Sequence, residues 1–164
     1  MPEALKSSEF RVEKTRKAVV LTLSTRETIR GNFFVAGANP HLTGPERVGD
    51  LLNAEEGFLP FEVLGDSGGH TVLYNRAQIL TVALPDNEAS LDPGYDVATR
   101  RMISVGLSNG ERVSGAVRVY RPGGRDRVSD WGRHGEQFRY LETAEVTLIV
   151  NVAHVIDVRE VFES

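Results

Sequence analysis

One segment occurs twice in this chain, and that duplication limits the fold more than any other feature, because whatever the first copy forms the second must form again. Val19-Val20-Leu21-Thr22-Leu23 aligns with Ile103-Ser104-Val105-Gly106-Leu107, and Glu27, Ile29, Gly31 and Val35 align with Glu111, Val113, Gly115 and Val119, all at an offset of 84. After a connection four residues shorter in the second copy, Arg47-Val48-Gly49-Asp50-Leu51 aligns with Arg127-Val128-Ser129-Asp130-Trp131, and Phe58 with Phe138. A second loop is four residues shorter again. Thr71, Asn75, Ala77, Ile79 and Val82 then align with Thr147, Asn151, Ala153, Val155 and Val158. Length differences confined to two loops are what a duplicated fold tolerates.

Each copy reads as β-structure. Val19, Leu21 and Leu23 alternate with Val20, Thr22 and Ser24, and Ile103, Val105 and Leu107 with Ser104, Gly106 and Ser108, the period of half-buried strands. Ser108-Asn109-Gly110-Glu111 is a strong hairpin signal, because Asn-Gly accepts positive φ; Ser24-Thr25-Arg26-Glu27 is a poorer version of it. The next strands are predicted over 28–36 and 112–120. Gly31 and Gly115 fall in their apolar phase, which suits a sharp bend or a close backbone approach. Gly44-Pro45-Glu46 opens a single helical turn. Further strands are predicted over 58–64, 70–75 and 78–84, with counterparts over 138–144, 145–151 and 154–161. Five short strands per copy point to an all-β chain of two tandem five-stranded small barrels, each with one inserted helical turn.

The predicted organisation is a mixed-charge tail over residues 1–15, a first barrel over 16–84, an acidic linker over 85–98 and a second barrel over 99–164. The linker carries Asp86, Glu88, Asp92 and Asp96 without a basic residue, and includes Pro85, Pro93 and Gly94. A net charge of -4 argues against indiscriminate coating of nucleic acid. The absence of cysteine removes disulfides, thiolate metal sites and cysteine nucleophiles. No apolar run is long enough to span a bilayer and the opening residues lack a signal-peptide core, so no membrane association and a cytoplasmic location are expected.

Val105-Gly106-Leu107-Ser108-Asn109-Gly110-Glu111-Arg112-Val113-Ser114-Gly115 resembles the first motif of the Sm-like and Hfq family, and Tyr74-Asn75-Arg76-Ala77-Gln78-Ile79 resembles the second. The resemblance covers about a third of each copy. It implies a bent five-stranded barrel of SH3 type, assembly into rings, and RNA as a ligand. The acidic-then-asparagine residues that contact RNA bases in that family have no equivalent after Val35 or Val119.

Catalytic constellations are missing from the sequence. His41, His70, His134 and His154 are scattered without metal-ligand spacing, and no cofactor motif is present. Gly65-Asp66-Ser67-Gly68-Gly69 lacks the Lys-Ser or Lys-Thr of a phosphate loop, and Ser67 has no nucleophile elbow around it. Arg11 and Arg16 hint at a PilZ-type cyclic-dinucleotide receptor, but the downstream Asp/Asn-x-Ser-x-x-Gly pattern is absent.

Two sets of residues remain as candidates. Arg47 and Asp50 recur as Arg127 and Asp130, three positions apart on one face of a helical turn, with Trp131 beside the second pair. They read either as a brace for that turn or as a docking edge for a protein partner. The second copy alone carries Arg118, Arg121, Arg125, Arg127, Arg133 and Arg139 interleaved with Tyr120, Trp131, His134 and Tyr140. Arginines among aromatic faces suit a protein interface and also single-stranded RNA. Asp126, Asp130 and Glu136 dilute the cluster to +3. The expectation is a non-catalytic binding or assembly module that engages a protein partner or itself, with Sm-like RNA binding as the alternative.

Overall fold

The computed structural model describes residues 14–37, 45–65, 68–120, 128–133 and 135–162, with Asp130 and Arg133 as main chain only. Each half lays down its strands in the same sequence. The first contains β1 (Lys14–Leu23), β2 (Thr28–Ala36), the helical turn α1 (Val48–Asn53), β3 (Phe58–Gly65), β4 (Gly68–Asn75) and β5 (Ile79–Leu84). The second contains β6 (Thr99–Leu107), β7 (Arg112–Val119), α2 (Val128–Arg133), β8 (Phe138–Glu142), β9 (Thr147–Asn151) and β10 (Val155–Glu160). Two 3-10 turns, Glu88–Leu91 and Tyr95–Val97, fill the connection. No helix among the described residues is long and apolar enough to cross a membrane.

The hairpins form where turn chemistry allows them. Gly110 takes φ +91 as the Asn-Gly pair requires, and Arg26, its counterpart, is forced to φ +76 without glycine's freedom. Asn75 and Asn151 each accept a hydrogen bond from the N–H two residues on, at 3.0 Å, starting the 3-10 turns that lead into β5 and β10.

Closure into two five-stranded barrels does not occur. All ten strands lie in one antiparallel sheet, in the order β10-β6-β7-β8-β9-β5-β1-β2-β3-β4, so each half keeps the same internal order and the two are spliced at β9 and β5. Thr81 pairs with Val150, Val82 with Ile149, Ala83 with Leu148 and Leu84 with Thr147. The backbone edge of β5 is thus satisfied by the other half rather than by its own, and no seam closes within either copy.

The splice is buried on both faces. Successive residues of a strand point to opposite sides, and here the two sides hold two cores. Ile79, Val82, Leu84, Phe138 and Ile149 join Leu21, Phe33, Leu52 and Phe61 in the first. Leu80 and Val150 join Ile103, Val105, Val117 and Leu141 in the second. Such side chains contribute on the order of 2 kcal/mol each on leaving water. Asn151, fully buried, adds polar specificity by donating to the carbonyl of Ile79 at 2.9 Å.

Candidate functional site

Between the halves, α1, the connection, β7, β8 and α2 surround a cleft of about 540 Å3. Its first wall is α1. A six-residue helix leaves its leading N–H groups unpaired, and here Asp50 accepts from the Arg47 N–H at 3.0 Å, while Glu88 accepts from Val48 at 3.2 Å and Gly49 at 2.9 Å. Glu88 is 5% exposed and also accepts from the Tyr140 hydroxyl on β8 at 2.9 Å. One carboxylate from the connection therefore joins the first half to the second. Residue 49 is glycine because a Cβ there would collide with that hydroxyl.

Arg47 and Asp50 pair at 3.1 Å, as their spacing permits, and Arg47 also donates to Asp92. Burial alone would lower the Arg47 pKa, but the hydrogen bonds to Asp50 and Asp92 more than reverse it and keep the guanidinium charged. Arg118 donates to Glu142 at 3.3 Å and to the Tyr95 hydroxyl at 3.0 Å, with its guanidinium 4.2 Å from the Tyr95 ring centroid. Burial opposes its charge too, and Glu142 outweighs it. Tyr120 donates weakly to Asp92 at 3.4 Å.

Arg139 differs from both. Its guanidinium lies 4.9 Å from the Trp131 ring centroid and donates to the carbonyls of Glu136 and Trp131. No carboxylate partners it among the described residues, and burial holds its pKa below the usual arginine value.

The structure thus brings Arg47, Asp50, Arg118, Tyr120, Trp131, Arg139 and Tyr140 to one cleft. The first and second candidate sets, separate in the sequence, share it. Arg121, Arg125, Arg127 and His134 lie outside the described residues, as do the side chains of Asp130 and Arg133 and the residues Ser67, His41 and Arg11. His154 sits elsewhere, its ring nitrogens 2.8 Å from the Ser108 hydroxyl and 2.6 Å from the Ala77 carbonyl. Glu88 escaped the sequence reading because its partners are 40 and 52 residues away, and nothing local marks a buried acid in an acidic stretch.

Comparison with protein-family models, curated proteins and solved structures gives no match for this chain.

Tyr140 yields a pH prediction. Burial first, and the Glu88 carboxylate second, push its phenol far above the ordinary value of 10.0. The folded state then keeps a proton that the unfolded state releases above about pH 10. Its contribution is complete below that pH and is lost as pH rises further. Urea denaturation at about pH 9 and about pH 11 should show a steeper loss for the unaltered chain than for Tyr140→Phe; equal losses would refute this account.

Proposed function

We propose that this protein is an assembly module that joins copies of itself head to tail, through the outer edge of β4 on one chain and of β10 on the next. One observation carries this reading: three positions that are apolar and buried at or beside the internal splice are apolar and exposed at or beside the two free edges. Phe138 is 5% exposed, whereas its counterpart Phe58 is 65% exposed. Ile149 is fully buried and its counterpart Leu73 is 61% exposed; Leu80 is fully buried and its counterpart Ile156 is 71% exposed. Unpaired strand edges with apolar flanks invite another strand.

The internal splice supplies the expected geometry. Transferring the β5–β9 register to the equivalent positions sets Asp157 opposite Tyr74, Val158 opposite Leu73, Arg159 opposite Val72 and Glu160 opposite Thr71. The two surfaces differ, so the contact is heterologous and propagates into a ring or a filament. The RNA alternative has no comparable support among the described residues, where Arg118 is bound to Glu142 and Arg47 to Asp50 and Asp92.

Light scattering tests the reading. The unaltered chain should run as a multiple of 18.1 kDa. Leu73→Lys and Ile156→Lys, both at exposed positions, should each reduce it to single chains. Mixed together, the two variants retain one intact β4 and one intact β10, and should form a two-chain species and nothing larger. A single-chain mass for the unaltered protein, or unchanged assembly in both variants, would remove the proposal.

A further inference from the structure

Arg139 breaks the pattern of the duplication. Its counterpart in the first half is Leu59, 2% exposed in the core beneath α1. Phe138 corresponds to Phe58, Leu141 to Phe61 and Glu142 to Glu62, while Tyr140 stands where the first half has Pro60. The second half thus puts a guanidinium on the core-facing side of its strand, where the first half has a leucine. A half-buried cation without a counter-ion is destabilising, and departures of this kind concentrate where a protein binds something.

Among the described residues, the other cations of the cleft are already matched. Arg47 has Asp50 and Asp92, Arg118 has Glu142, and the Tyr140 hydroxyl has Glu88. Of the five N–H groups of Arg139, two are occupied by the carbonyls of Glu136 and Trp131, and the other three have no partner among the described residues. We propose that this cleft binds a small monocarboxylate with a flat apolar body, its carboxylate paired with the Arg139 guanidinium.

Charge selects the class. Among the described residues around the cleft, Arg47, Arg118 and Arg139 face Asp50, Asp92, Glu136 and Glu142, an excess of one negative charge. That excess repels a dianion such as phosphate more than a monoanion, and a single carboxylate fits the planar fork of Arg139, the one cleft cation without a carboxylate partner among the described residues. Ala89, Val119, Tyr120 and Phe138 offer the apolar surface for the body of the ligand, and about 540 Å3 lies within the range of small-molecule sites.

Titration calorimetry of the full chain with benzoate, benzamide and phthalate tests this. Benzoate should bind saturably at one per chain. Benzamide, the neutral isostere, and phthalate, the dianion, should each bind at least about tenfold more weakly. Arg139→Leu restores the residue of the first half, and should weaken benzoate binding by at least about tenfold while leaving the melting temperature unchanged or higher. Equal binding of benzoate and benzamide would overturn the proposal, as would undiminished benzoate binding by the leucine variant or no saturation by about 10 mM benzoate. Should the leucine variant not fold, the comparison of ligands on the unaltered chain decides alone.

Discussion

Glu88→Ala should destabilise the protein by about 3 kcal/mol, because it leaves buried donors without an acceptor. Three groups lose their partner together: the N–H groups of Val48 and Gly49 and the hydroxyl of Tyr140. Val48 is 1% exposed, so water does not readily replace the lost acceptor at its amide. For a chain of this length the loss corresponds to roughly 6–12 °C in melting temperature. Glu88→Gln keeps one carbonyl oxygen and should cost about half as much. Tyr140→Phe at neutral pH removes a single bond and should cost about 1 kcal/mol. Denaturant melts of the three variants check the ranking. A Glu88→Ala variant within about 1 kcal/mol of the unaltered protein would show that the carboxylate does not hold the halves together.

The same group shows where sequence reasoning ends. Strands, turns and the duplication were legible because each is written in local periodicity: Val19 to Leu23 alternates, Asn109-Gly110 turns, and Gly31 and Gly115 recur in phase. The partner of β5 was not legible. Its residues, Ile79 to Leu84, form a nearly continuous apolar run, which signals burial on both faces but not whose edge lies alongside. That is why two closed barrels were expected and one spliced sheet is found. The cleft was half legible. The pairing of Arg47 with Asp50 follows from their spacing, and the arginine-aromatic set of the second half contributes Arg118, Trp131, Arg139 and Tyr140. That the two sets meet depends on Glu88 and on the splice, both long-range. The oddity of Arg139 opposite Leu59 was present in the aligned copies, but it gains meaning only once Leu59 is seen to be buried.

Gly31→Ala should be the other costly change, at about 3 kcal/mol, and it should exceed Gly115→Ala although the two glycines are equivalent. At position 31 a Cβ would run into the Glu62 carbonyl and the ring of Phe61. Phe61 cannot yield easily. It is fully buried, with Phe33 edge-on at 5.0 Å and Tyr74 at 5.8 Å, and β2 is tied to β3 through Gly31, Asn32 and Phe33. At position 115 the Cβ would approach the Glu142 carbonyl at 2.6 Å and Leu141 at 3.1 Å. There β7 and β8 pair only at Ala116 and Glu142, so β8 can draw back, and the cost should be about 1–2 kcal/mol. The difference bears on the cleft, whose wall is β8: a smaller cost at 115 would mean that the β7–β8 seam yields where the β2–β3 seam does not. Urea midpoints for the two alanine variants check the order. Equal losses, or a larger loss at 115, would mean that both seams are equally tight and that the cleft wall has no such freedom.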